Sequence, residues 1–397
     1  MNAPAAPAVR WPRILGLLIL ALLLTELAAR IAFWVWSGES YRNLDLYRWS
    51  PYGLVRNNPQ ATSNAFKINP NGFRNLETFQ PRKPPDTYRV LMLGGSVLYA
   101  GLGGWYPPET RRVPTSETIA QHLAERLRAD PRWAGRRVEV LNAAVNFNRI
   151  VEVSGAYLGE FINWDPDLVI VFGSANNFFH PPPEHGDGGQ IVHSLASPHV
   201  WAAEFDRRAN EHTLMTLLET AHLTARHYSA AAALAHKFLS KAIDAALALS
   251  ERLRVRTVPL DGPAPPPAQP LSDAAFDRYV DDYLAHADAM IAAARRRQQK
   301  IVFFWEYFLA HVAPAKPMGA AEALLARHNQ SHATASDREF TLRARDRVAR
   351  ELAAQGVELI DPWPELTAWP KQVYIDYLHY TAEGNEFMAE VLYRRIW

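Results

Sequence analysis

The sequence predicts an α/β protein: a parallel sheet with helices on both sides, preceded by one apolar helix of membrane length. Three observations predict it. From about residue 87, short apolar runs alternate with amphipathic helical stripes, the pattern of successive βα units. The runs are apolar throughout rather than alternating, so their strands are covered on both faces. Residues 14–36 form an apolar stretch long enough to cross a bilayer. The bulk composition agrees: 397 residues, 48% hydrophobic and 21% charged, exclude wholesale disorder. Lys+Arg 42 against Asp+Glu 41 leaves a net charge of +1, which argues against a nucleic-acid partner held by bulk charge. The absence of cysteine removes disulfides, Cys-ligated zinc, iron–sulfur centres and thiol nucleophiles, and suits an oxidising compartment.

The N-terminal element runs from Ile14 to Trp36, about 34 Å as a helix. Glu26 and Arg30 interrupt it at i,i+4 with the acid first, the better order for a helical ion pair. Trp34 and Trp36 suit an interfacial belt. A cleaved signal peptide with its apolar stretch at 14–24 is the competing reading, and no clear A-x-A site follows it. Residues 1–37 are thus expected to anchor the chain in the cytoplasmic (inner) membrane by a single pass. The rest lies outside the cytoplasm, with 38–86 as a lead-in and 87–397 as the main domain.

The strands follow in order. Arg89–Gly95 is apolar and ends in glycines, a buried strand entering a tight turn. Pro114–Glu117 starts a helix with Ile119, Leu123 and Leu127 on one stripe. Val138–Leu141 is a second strand, 150–163 reads as helical, and Asp167–Gly173 is a third strand. Ile301–Trp305 is a fourth, and Val357–Ile360 a fifth, after a helix ending near Gln355 with Gly356 as its C-cap. A last helix after Thr381 places Met388, Val391, Leu392 and Ile396 on one face.

Between the third and fourth strands lie too many residues for a plain crossover, so a helical insertion over about 180–300 is expected. Leu234, Phe238, Ala242, Ala246, Leu249 and Leu253 make one stripe. Pro259, Pro263, Pro265, Pro266, Pro267 and Pro270 mark an extended linker. A second helix covers about 273–298 with Phe276, Val280, Tyr283, Ala287, Met290 and Ile291 inward. The insertion reads as a helical subdomain covering one edge of the sheet, or as a lid or a surface for a membrane-protein partner.

Three stretches just beyond predicted strands could carry chemistry. Gly94-Gly95-Ser96 raises a serine on the turn after the first strand; alone it reads as a glycine turn with an N-cap. Gly173-Ser-Ala-Asn176-Asn177 offers an amide that can donate to a developing oxyanion, or an Asx turn. Asp376 and His379 are i,i+3, so one local turn places both on one side, where the carboxylate can orient an imidazole acting as base. With 14 His in the chain, a nearby Asp is also expected by chance. His180, His185, His193 and His199 in a proline-rich loop lack the spacing of a metal site, as do His328 and His332, so no metal or other cofactor is expected. Glu306, directly after a strand, faces the site or a solvated edge.

The order of these three stretches on this strand pattern resembles the SGNH (GDSL-like) hydrolase superfamily. Ile68-Asn-Pro-Asn-Gly-Phe-Arg74 and Tyr88–Ser96 resemble the opening of its membrane-anchored bacterial branch. Tyr374–His379 with Thr381, Glu383, Gly384 and Asn385 resembles its closing block. The resemblance covers roughly 65–180 and 297–397. It implies a flavodoxin-like three-layer fold with a five-stranded parallel sheet, Ser96 as nucleophile, His379 as base and Asp376 as its orienter. It also implies an oxyanion hole of the Ser96 N–H, a second-block N–H and the Asn176 side chain. Two departures stand out: Ala144 replaces the usual second-block glycine, and the third-block glycine stands one place early. The expected activity is that of an extracytoplasmic serine esterase or O-acyltransferase working through an acyl-serine, on an ester-bearing substrate such as an acylated glycan or lipid. The alternative is a non-catalytic scaffold or assembly subunit of a membrane complex. In a competent site the Ser96 hydroxyl stands about 3 Å from the His379 ring; a hydroxyl buried or turned away from the imidazole removes the case for catalysis and leaves a tethered α/β body.

Overall fold

A computed structural model of the protein describes residues 11–37, 47–50, 54–59, 67–100, 113–178, 229–232, 235, 272–329 and 335–397. The chain divides into two compact units, Met1–Leu44 with Glu204–Pro267, and Asp45–Ala203 with Ala268–Trp397.

In the first unit, α1 spans Trp11–Ser37, and its Ile14–Ala32 stretch is long and apolar enough to cross a membrane. The two charged residues within Ile14–Ala32 are partnered: Arg30 donates to Glu26 at 2.9 Å. The other donors to Glu26 are the Ser229 hydroxyl at 2.7 Å and the N–H groups of Ala230 and Ala231 at 2.9 and 3.1 Å. A carboxylate on an apolar helix is thereby supplied with a cation and three hydrogen bonds. The stripe from Leu234 to Leu253, the prolines between 259 and 270, and the histidines from His180 to His199 lie outside the described residues, as do His332 and the side chain of His328.

In the second unit a short antiparallel pair, β1 (Tyr47–Ser50) and β2 (Leu54–Asn57), precedes the main sheet. That sheet comprises β3 (Thr87–Gly94), β4 (Arg137–Asn142), β5 (Leu168–Phe172), β6 (Lys300–Phe304) and β7 (Leu359–Ile360). All neighbours are parallel, in the order β4-β3-β5-β6-β7. Renumbered from β3, this is 2-1-3-4-5, the flavodoxin-like order, whose switch point lies between β3 and β5. The helices are α2 (Ser96–Tyr99), α3 (Ile119–Ala129), α4 (Ile150–Gly159), α5 (Ala175–Phe178), α6 (Asp273–Arg296), α7 (Leu309–Val312), α8 (Ala320–Asn329), α9 (Ala335–Ala354), α10 (Trp363–Ala368) and α11 (Ala382–Ile396).

Val90–Leu93 and all of β5 are buried, as strands covered on both faces must be. Helix α3 packs with α11 and against β4, while α4 packs with α6, each against the sheet. The predicted stripes do this work: Ile119, Leu123 and Leu127 are buried, as are Met388, Val391 and Leu392. Each such side chain contributes about 1.5–3 kcal/mol by leaving water. Helix α6 is the crossover helix between β5 and β6, and Phe276, Val280, Tyr283, Ala287, Met290 and Ile291, the stripe expected inward, all enter the sheet's core. The segment Glu204–Pro267 belongs to the unit that contains α1.

Candidate active site

Beyond the carboxyl ends of the strands, three turns meet. The first follows β3. Gly95 lies at the N-cap of α2 and Ser96 is the helix's first residue. A Cβ on Gly95 would lie 2.6 Å from Asn176 Nδ2, so the close approach of that amide requires glycine here. Beneath the turn, the Arg74 guanidinium stacks on the Tyr99 ring at 4.5 Å and donates to the carbonyls of Ala100 and Val113 at 3.3 and 2.5 Å. The segment 67–79 is itself braced by asparagines. Asn69 accepts from the N–H groups of Asn71 and Phe73, and Asn75 bonds both Val140 and Asn142 on β4.

The second turn is the tip of a small antiparallel hairpin before α11. Ile375 N–H donates to the His379 carbonyl and Thr381 N–H to the Val373 carbonyl, both at 2.8 Å, around a Tyr374–Tyr380 bridge. At its base Glu322 Oε1 accepts from the N–H groups of Val373 and Tyr374 at 3.1 and 3.3 Å. The other oxygen of Glu322 takes Lys316 Nζ at 2.6 Å, in a pair with no exposed side-chain surface. Tyr374 donates to the Tyr307 carbonyl at 2.9 Å, tying the hairpin to the segment after β6. The Thr381 hydroxyl then caps α11 by accepting from Gly384 N–H at 2.9 Å.

At the tip, Asp376 Oδ1 accepts from the N–H groups of Leu378 and His379 at 2.8 and 2.7 Å, and Oδ2 lies 2.8 Å from His379 Nδ1. His379 Nε2 lies 2.8 Å from Ser96 Oγ. A carboxylate ionised at neutral pH only accepts, so Nδ1 carries the proton and Nε2 is left to accept from the serine hydroxyl. Burial pushes the Asp376 carboxyl up, but His379 beside it and its hydrogen bonds outweigh this, and it ends below the ordinary carboxylate range.

The third turn follows β5. Asn176 Nδ2 donates to the Asn148 carbonyl at 2.9 Å, a carbonyl delivered by Phe147 in a left-handed conformation, φ 67°. Asn177 faces elsewhere: its Oδ1 receives the Ile150 N–H at 2.8 Å at the start of α4, and its carbonyl accepts from the Tyr279 hydroxyl. Glu306 is buried, at 2% exposure, which removes the solvated-edge reading. Its Oε2 accepts from the N–H groups of Ser174 and Ala175 at 3.0 and 2.9 Å. Burial drives its carboxyl up to about 7, against the pull of these hydrogen bonds and of His379.

Two expectations meet resistance. The N–H of Ala144 donates to Asn142 Oδ1 at 3.1 Å and its carbonyl accepts from Asn57, so the second-block donor is already engaged. Ser96 also keeps only 4% of its surface exposed, as does His379; the hydroxyl faces the imidazole but is not the raised, open group the turn suggests. Among the described residues no three His, Asp or Glu are grouped to hold a metal ion. Glu322 and Asn148 carried no sequence signal, since the hairpin strand and the amide they hold, at Val373 and Asn176, are distant in the chain.

No protein-family model matches the chain, and no curated protein matches it in sequence. Solved structures do resemble it. The acetyl xylan esterase AlAXEase has a TM-score of 0.38 at 11% identity, covering 78% of this chain and 100% of that one. Axe2, an acetylxylan esterase from Geobacillus stearothermophilus, has 0.40 at 10%, covering 78% and 94%. A lipase/acylhydrolase from Enterococcus faecalis has 0.38 at 13%, covering 78% and 95%. Likenesses this distant add no weight to a function; the side chains around Ser96 must supply it.

Proposed function

We propose that the protein is an SGNH-type serine ester hydrolase or O-acyltransferase, held at the inner membrane by α1 with its main domain outside the cytoplasm. The observation that carries the reading is the line Ser96 Oγ–His379 Nε2–His379 Nδ1–Asp376 Oδ2, with both hydrogen bonds at 2.8 Å. Residues from two distant parts of the chain meet at the flavodoxin-type switch point in the geometry of a base-activated nucleophile.

In the proposed reaction Ser96 Oγ forms a bond to the ester carbonyl carbon while its proton passes to His379 Nε2. Asp376 stabilises the imidazolium. The oxyanion is held by the Ser96 N–H at the start of α2 and by the Asn176 amide; Ala144 joins only by giving up its bond to Asn142. Collapse of the intermediate breaks the ester C–O bond, and the leaving alkoxide takes the proton from His379. Water or an acceptor hydroxyl then gives its proton to His379 and attacks the acyl-serine carbonyl; the bond from the acyl carbon to Ser96 Oγ breaks, Oγ takes the proton back from His379, and the acyl group leaves as the acid or the new ester. A nearly enclosed serine favours a small acyl group carried on a larger glycan or lipid.

A second reading is a non-catalytic scaffold of a membrane complex, binding a membrane-protein partner through residues 180–300. It is favoured by the 4% exposure of Ser96 and the engaged Ala144 N–H. Reaction of the full chain in detergent with a fluorophosphonate separates the two. Labelling that disappears in Ser96→Ala supports the hydrolase; no labelling of the wild-type chain, or labelling unchanged in Ser96→Ala, sinks it and leaves the scaffold.

A further inference from the structure

We propose that Glu306 is a positioning residue for this reaction: by holding the Ser174–Ala175 turn it sets where the Asn176 amide stands beside Ser96. The inference rests on the proposed hydrolase reading and assigns a device within that site. Three donors converge on a single oxygen, Glu306 Oε2: the N–H groups of Ser174 and Ala175, at 3.0 and 2.9 Å, and the Ser174 hydroxyl at 3.3 Å. The Ser174 oxygen in turn accepts from Glu306 N–H at 2.8 Å, which closes a ring between the ends of β5 and β6. The next residue along the turn is Asn176. Its amide is fixed on two other sides, by the Asn148 carbonyl at 2.9 Å and by Gly95, where even a methyl group would come within 2.6 Å of Nδ2.

An amide nitrogen has two hydrogens. One is spent on Asn148, and the other is the donor that an oxyanion on the Ser96 adduct needs. A shift of the turn by a fraction of an ångström takes that donor off line, because Gly95 and Asn148 leave it no alternative seat. Two consecutive N–H groups on one carboxyl oxygen hold the turn with the acid neutral or ionised, and more firmly once it is ionised. The carboxylate does not touch the reacting atoms, so its effect passes through Asn176.

The test is a double-variant cycle on the full chain, using an activated aryl acetate. Asn176→Ala is expected to lower kcat by about 10²-fold, as loss of an oxyanion donor does. Glu306→Ala should lower kcat by roughly ten- to a hundredfold, with KM changed by less than about threefold, and should add little on top of Asn176→Ala. Glu306→Gln keeps an acceptor oxygen and should recover kcat to within about tenfold of wild type. Glu306→Asp, which keeps the charge but shortens the reach by one methylene, replaces Glu306→Ala if that variant does not fold. Multiplicative losses in the double variant, or a Gln variant as impaired as the Ala one, overturn the proposal. Crystal structures give a readout independent of turnover: the Asn176–Asn148 contact should open in Glu306→Ala or Glu306→Asp, and its retention at 2.9 Å also overturns the proposal. A wild-type chain with no turnover and no fluorophosphonate labelling sinks the hydrolase instead, and the crystal structures then decide the positioning alone.

Discussion

Asp376 and Glu306 are both acids within electrostatic reach of His379, on opposite sides of what burial can do to a carboxyl. Asp376 keeps 16% of its side chain exposed, lies 2.8 Å from the imidazole and falls below the ordinary range. Glu306 is enclosed, its three side-chain donors are uncharged, and it rises to about 7. Desolvation is the largest influence on each. What separates them is a partner that can itself become a cation: hydrogen bonds from N–H and O–H groups soften desolvation, while an adjacent imidazole reverses it. One acid is therefore fitted to balance a proton moving onto His379, and the other to hold backbone in place.

The largest effect expected from this difference is on turnover. Asp376→Asn should lower kcat by about 10³- to 10⁴-fold, because an amide at that position no longer fixes the tautomer in which Nε2 accepts. Glu306→Gln, the same chemical change on the other acid, should cost no more than about tenfold. Steady-state kinetics with one aryl ester measures both, and equal losses would erase the distinction.

Glu322 sharpens the comparison on the side of stability. It is a fully buried acid with a full cation, Lys316, at 2.6 Å, and it also holds the hairpin that carries Asp376 and His379. Lys316→Met should destabilise the chain by about 3–5 kcal/mol, the cost of leaving one charge of a buried pair alone. Lys316→Met/Glu322→Gln should recover most of that, since the amide oxygen still accepts from Val373 and Tyr374. Denaturant melts of the detergent-solubilised chain read both; a double variant no better than the single one would show that the hairpin, not the lone charge, is what fails.

The pH dependence of stability follows the same division, with opposite signs. Glu306 has a folded pKa of about 7 against an ordinary 4.5. Between these values the folded chain keeps a proton that the unfolded chain releases, so this group's contribution declines as pH rises through that window. Above it the cost levels off at about 3 kcal/mol. Asp376 is depressed, so its contribution is present above the ordinary carboxyl value and is lost as pH falls through the folded one. Melting of Glu306→Gln beside wild type from pH 4 to 9 should show the variant gaining relative stability through pH 4.5–7 and then running parallel. A constant offset across the range would mean that Glu306 stays ionised throughout.

Much of this arrangement was legible in the sequence. Uninterrupted apolar runs gave the strands and their order in the chain, and the two glycines before Ser96 gave the first turn. Asp376 and His379 could be paired on paper because they stand three positions apart on one turn. What the sequence could not convey is contact across distance. Glu306 and Ser174 are 132 residues apart, and nothing in the pattern around Glu306 distinguishes a clamp from a solvated strand end. The apolar face of α6 announces burial but not against which surface, and its place in the chain alone does not separate it from the insertion. The enclosure of Ser96 has no local signature at all, because whatever covers a turn comes from elsewhere. The engaged N–H of Ala144 is different: its acceptor, Asn142, is only two residues back, and an Asx bond of that span is a local expectation.

The smallest effect tests whether the hairpin or the helix behind it orients the imidazole. Thr381 lies two residues past His379 and caps α11 with its hydroxyl, while His379 itself is fixed by Asp376 and by the Ile375–His379 backbone bond. Thr381→Ala removes the cap and should cost about 1 kcal/mol of stability. Because Thr381 N–H still bonds the Val373 carbonyl, the hairpin stays closed, and kcat should remain within about twofold of wild type. A kcat loss of tenfold or more in a variant that melts only slightly earlier would move the seat of His379 from the Asp376 turn to the helix terminus, and the contrast between the two acids would no longer explain how the base is held.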